Sequence, residues 1–209
     1  MPEGIREAHR VTGTERLVGL TDDVFAFAIT LLVLELVTPV VTGPATNSSL
    51  AAAIGREYPS LIDFAVSFWV AGLLWMSHHR VFQYIKASDP GLLTLNMVFL
   101  FFVVLIPFAT RVLDSYESVQ LATLVFVLPL LGASLMNGLV WRYASNHHLV
   151  DEYTPRGAKR WFTVQGPITS ALFAASVSLS FIEPDLTVAS WFAIVPAIHF
   201  LGRRYSKQD

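Results

Sequence analysis

Two adjacent carboxylates, Asp22 and Asp23, stand early in a long apolar run, and a second apolar run ends in two imidazoles, His78 and His79. Together Asp22, Asp23 and His78 have the chemistry of a proton relay, which would suit a proton-coupled membrane transporter. A metal site built from His78, His79 and Asp63 is disfavoured, because neighbouring residues on a helix point about 100° apart and cannot readily share one ion. His147 and His148 with Asp151 and Glu152 read as a solvated loop. Ser170, Ser176, Ser178 and Ser180 read as helix-packing hydroxyls, with no nucleophile elbow around them. His199 reads as a lone packing histidine. No catalytic group, metal or cofactor is expected, and the chain does not read as an enzyme.

The elements that carry these residues follow from composition. Of the 209 residues 54% are hydrophobic and 14% charged, well below the roughly 25% charge of an ordinary soluble domain. The near-neutral balance of charge gives nucleic acid no electrostatic footing, and the absence of cysteine excludes disulfides and thiolate metal ligands. Six charge-poor windows are long enough, or nearly so, to cross a bilayer: 15–37, 60–83, 91–112, 119–141, 161–182 and 186–202. The first is too long in its apolar part for a cleavable signal and has no small-residue cleavage pattern after it.

The basic residues test this division. Arg6, Arg10, Arg16, Arg80, Lys86, Arg142, Arg156, Lys159, Arg160, Arg203, Arg204 and Lys207 all fall on one side, leaving only Arg56 and Arg111 on the other. Positive-inside asymmetry then places both termini in the cytoplasm. The expected fold is an all-α membrane protein of six transmembrane helices. It comprises a polar segment 1–11, one membrane domain over 12–205 and a short tail 206–209. Thr12 and Glu15 fit a capping box, so the first helix is expected to begin near Gly13 and to end near Thr38 and Pro39. The connection after it should hold a short Ala-rich helix. Pro107, Pro129, Pro167 and Pro196 predict kinks.

Along the first helix Phe27, Leu31 and Leu34 share one face, with Thr30 at its flank and Leu20 and Val24 extending it. Ala26 and Ala28 permit close approach of a neighbour. Asp22 and Asp23 lie beyond the first turn, where the helix dipole no longer helps them, so donors must come from other helices. Trp75, His78 and His79 share a face at the cytoplasmic end of the second span, and Asn96 and Asn137 could add amides. Such a polar knot would lock helix one to helix two.

The stretch RLVGLTD, Arg16 to Asp22, resembles the R-x-x-x-F-S-D signature of the transmembrane protein 175 family of lysosomal and bacterial potassium channels, with Leu20 for Phe and Thr21 for Ser. DDVFAFAITLLVLEL, the W-x-x-H-H end of span two and LNMVFLFFVVLIPFAT in span three are similar to that family as well. The resemblance implies a homotetramer in a prokaryotic plasma membrane, with the first helices surrounding a central pore. By the same resemblance Phe27, Thr30, Leu31 and Leu34 would form the constriction. Arg16, Thr21 and Asp22 would brace the pore, joined here by Trp75, His78 and His79, and Asp23 falls outside the signature. The partners implied are further copies of the chain, membrane lipid and monovalent cations, with potassium as the permeant ion.

No T-V-G-Y-G loop occurs, so a cage of backbone carbonyls cannot do the selecting. An apolar ring instead makes a cation shed part of its water, which potassium surrenders more cheaply than sodium. The expected outcome is cation conduction with modest potassium preference and gating by wetting and dewetting. Glu35 or Asp63 could draw cations toward the path.

Overall fold

The computed structural model describes residues 3–116, 119–181, 187, 190 and 191. The expected sixth span 186–202, the tail 206–209, His199, Pro196, Arg203, Arg204 and Lys207 therefore lie almost wholly outside the described residues. Those described form an all-helical protein of α1 (Glu3–Leu31), α2 (Asn47–Arg56), α3 (Tyr58–Phe82), α4 (Pro90–Val104), α5 (Ile106–Ser115), α6 (Gln120–Asn146) and α7 (Arg156–Val177).

Among the described residues four stretches are long and apolar enough to cross a membrane: Gly13–Glu35, Tyr58–Phe82, Pro90–Ser115 and Gln120–Asn146. They match the first four expected spans. The fifth expected span, 161–182, is helical as α7 but begins earlier, at Arg156, and does not reach the same apolarity. Its first turns hold Arg156, Lys159 and Arg160, and Thr163, Gln165, Thr169 and Ser170 follow.

The first helix corrects one expectation. It starts at Glu3 rather than near Gly13, so Thr12 lies within it instead of capping it. The charged residues of segment 3–10 are helix formers, and a lone glycine such as Gly13 costs a helix only about 1 kcal/mol. Nothing before Gly13 forces a stop. At the other end the helix tightens into a 3-10 turn, Leu32–Glu35, and the chain turns extended at Leu36 (ψ 121°), slightly before the restriction that Pro39 imposes.

The connection that follows does carry a short helix, α2. Thr46 closes it with a capping box: its hydroxyl accepts from the Ser49 N–H at 3.2 Å, and the Ser49 hydroxyl accepts from the Thr46 N–H at 2.9 Å. The third span divides at Leu105 into α4 and α5. Pro107, just beyond, has no N–H to give and its ring crowds the carbonyl four residues back. Pro129 and Pro167 sit inside α6 and α7 without ending them.

Two apolar clusters make the core. One, around Phe25, Leu32, Phe99, Phe126 and Leu130, joins α1 to α3, α4, α5 and α6. The other, around Leu17, Val81, Leu92, Trp141 and Trp161, joins α1 to α3, α4, α6 and α7. The helices α6 and α7 meet at paired glycines: a Cβ on Gly166 would lie 2.7 Å from the Cα of Gly138. At the end of the molecule that carries Lys86 and Arg156, the loops after α3 and α6 clip together. Lys86 N–H donates to Leu149 O at 2.9 Å, Asp151 N–H donates to Tyr84 O at 2.8 Å, and Lys86 pairs with Asp151 at 3.8 Å. This turn uses His148 in the left-handed region (φ 57°). His147, whose ring stacks on Tyr143 at 3.8 Å, is held against α6 beside it.

Candidate functional site

The first membrane stretch, α1 with the 3-10 turn Leu32–Glu35 that continues it, has two contrasting faces. Leu17, Thr21, Phe25, Ala28 and Leu32, spaced by four and three residues, are buried against α3, α4 and the helices behind them. The opposite face is uncovered within the chain: Phe27 is 71% exposed, Leu34 70%, Leu31 45% and Leu20 43%. Thr30 is also exposed on this face, its hydroxyl donating back to the carbonyls of Ala26 and Phe27 at 2.9 Å each. Val24, expected to extend the Phe27 face, instead packs against the apolar core. It stands three residues before Phe27, a 300° step that turns it about 60° away around the helix.

Behind the buried face lies a polar knot. Thr21 donates its hydroxyl proton to the Leu17 carbonyl at 2.9 Å, so its oxygen must meet a donor. Asn96 supplies it from Nδ2 at 2.9 Å. The amide oxygen of Asn96 then faces His78 Nε2 at 2.8 Å, which fixes that nitrogen as the protonated one, since the oxygen can only accept. The ring of His78 is held between Phe82, at 4.4 Å between centroids, and Phe99, at 4.7 Å. Beside this chain, Trp75 Nε1 donates to Asp22 Oδ1 at 2.8 Å, and His79 stacks on the Trp75 indole at 5.3 Å.

Thus Thr21, Asp22, Trp75, His78 and His79 come together, with Asn96 as the residue that ties three helices. Arg16 does not join them. It is exposed on the other side of α1 and makes no hydrogen bond or ion pair among the described residues. Asp23 is exposed as well, about 100° around the helix from Asp22.

On another face of α3, between Trp75 and His78 in sequence, Ser77 Oγ accepts from both Asn137 Nδ2 and Gln165 Nε2 at 2.9 Å, which fastens α3 to α6 and α7. Asn137 thus serves this second seam rather than the knot. Gln165 was not singled out in the sequence, although a lone amide inside an apolar stretch, as at Asn96, was the available signal. At the opposite end of the spans Glu35 is paired with Arg111 at 3.0 Å, so its charge is neutralised locally rather than directed at passing cations. Asp63 is buried in α3.

Sequence and structure comparisons carry the same pattern. The family described as the endosomal/lysosomal potassium channel TMEM175 matches residues 16–107, which include Arg16 to Asp22, Trp75 to His79 and all of α4. A Streptomyces collinus protein named as a potassium channel is 32% identical over 180 residues, covering 84% of this chain and 86% of that protein. A Chamaesiphon minutus protein named as a potassium channel is 30% identical over 204 residues, covering 94% and 98%. The crystal structure of a lysosomal potassium-selective channel TMEM175 homologue from Chamaesiphon minutus superposes with a TM-score of 0.75 and 25% identity, over 91% of this chain and 98% of that one. With its signature stretch, its helical fold and relatives matched nearly end to end, the chain belongs to the TMEM175 family.

Proposed function

We propose that this protein is a potassium channel of a prokaryotic plasma membrane. Four copies assemble with α1 around a central axis, and both termini face the cytoplasm. Six transmembrane helices make up each subunit, within a channel domain 12–205 flanked by the polar segment 1–11 and the tail 206–209. The observation that carries this reading is the bare face of α1. One side is fastened into the subunit by Thr21, Asp22, Phe25 and Leu32, while Phe27, Leu31 and Leu34 project away from it, together with Thr30.

A carboxylate, Asp23, lies on that same face ten residues inside the apolar stretch Gly13–Glu35, and hydrocarbon is a costly surrounding for it. Water along an axis relieves that cost. Phe27, Leu31 and Leu34 would then form successive apolar rings that strip part of a cation's hydration, favouring potassium modestly and closing by dewetting. Arg16, exposed and unpaired among the described residues, would brace the assembly by meeting a neighbouring copy.

A proton-coupled carrier using Asp22, Asp23 and His78 has less support. Asp22 is bonded to Trp75 and His78 to Asn96, and Asp23 points away from both. Passive potassium flux from liposomes reconstituted with the purified protein tests the proposal, and an obligatory exchange of protons for each ion would sink it. Leu31→Asn should raise conductance several-fold and weaken potassium preference, because a polar ring holds water that Leu31 excludes. Unchanged currents would remove Leu31 from the path.

A further inference from the structure

Asp22 and Asp23 are neighbours in sequence with different surroundings. Asp22 faces the subunit and accepts the Trp75 indole proton at 2.8 Å. Asp23 is exposed, with no hydrogen bond or ion pair among the described residues. It precedes Phe27 by one turn, which places the two side chains within about 40° of each other around the helix. It also lies ten residues past Gly13, about 15 Å along the helix from the start of the apolar stretch. At that depth hydrocarbon strongly opposes an unpaired carboxylate turned to lipid. The helix has therefore kept a charge where hydrocarbon opposes it, on the face that carries the apolar rings.

We propose that Asp23 is a charge-selecting residue of the permeation path: its four copies form an anionic ring one turn before Phe27, which concentrates monovalent cations at the constriction and excludes anions. The inference rests on the reading of α1 as the pore lining and adds an electrostatic element to it. Rings of acidic side chains select cations because a narrow, low-dielectric passage focuses their field. Arg16 shares this azimuth but lies seven residues earlier, about 10 Å along the axis. Along the axis Asp23 is about 6 Å from Phe27 and Arg16 about 16 Å, so the nearer carboxylate dominates the field at the constriction.

Single-channel recording of the full-length protein in planar bilayers tests this. Asp23→Asn should lower potassium conductance roughly threefold in dilute salt and leave it nearly unchanged at about 1 M, where the screening length shrinks to about 3 Å. Asp23→Glu should restore the original values. The chain has no cysteine, so Asp23→Cys can be modified selectively: a sulfonate-bearing thiol reagent should raise conductance and an ammonium-bearing one lower it. Unaltered conductance in every variant, or an equal loss at all salt concentrations, overturns the inference. So does assembly of Asp23→Glu when every uncharged variant fails to assemble, which would mark Asp23 as an intersubunit ion pair. Leu31→Cys separates the two levels. If thiol reagents block it while Asp23→Asn conducts normally, the Asp23 inference falls and the pore reading stands. If Leu31→Cys is not blocked, both fall.

Discussion

At the scale of single residues, Asn96 does the work of three. Its amide N–H donates to Thr21 on α1 and its oxygen accepts from His78 on α3, while its own backbone belongs to α4. Replacing Asn96 by Leu leaves His78 Nε2 buried without its acceptor, at about 1–3 kcal/mol, and takes from Thr21 Oγ1 its donor while the bond to the Leu17 carbonyl stays. The protein should melt well below the original in a detergent thermal-unfolding assay, and an unshifted midpoint would show that water replaces the amide. Trp75→Phe should cost less, since Asp22 is only partly buried and water can reach its carboxylate. Part of this knot was legible in the sequence. An amide within LNMVFLFF and imidazoles at a helix end need partners, so a buried cluster followed from the cost of leaving them alone. Which donor meets which acceptor was not legible, because that depends on how α3 and α4 rotate against α1. The absence of Arg16 from the knot has the same origin: its spacing from Asp22 allowed no pairing along the helix, and only packing could decide what it meets.

At the scale of elements, the faces of α1 followed from the 3.6-residue period for Phe27, Leu31 and Leu34, and failed at Val24, which sits at the boundary between the two faces. The start of α1 was misjudged because residues 3–10 are polar but still helix formers, and polarity marks the edge of a membrane without marking the end of a helix. The paired glycines of α6 and α7 were not foreseen, since a close helix crossing needs two distant positions to coincide. Their contact gives a prediction: Gly166→Val places a branched side chain where even a Cβ lies 2.7 Å from Gly138 Cα. Overpacking of this kind costs typically about 1–3 kcal/mol, so α7 should separate from α6 and the unfolding midpoint should fall. Gly72, whose Cβ position is open, supplies the control, and Gly72→Ala should leave the midpoint near its original value.

At the scale of the whole molecule, the proposed assembly would cover the side of α1 that the single chain leaves exposed. Arg16→Ala should lower the yield of the proposed four-subunit species in chemical cross-linking while leaving the fold of each subunit intact by circular dichroism. An undiminished tetramer with normal potassium flux would show that Arg16 is dispensable to assembly. The other exposed apolar side chains, such as Phe101 and Phe108 on α4 and α5, suit a lipid boundary and need no such partner. The unbroken path of α1 has a mechanical consequence. From Glu3 to Leu31 the backbone contains no proline and no change of helical type, so the ten residues ahead of Gly13 form a stiff lever about 15 Å long. A twist applied to that lever is delivered to Phe27 without a joint to absorb it, so in the proposed channel whatever grips the N-terminal end would gain a handle on the apolar constriction.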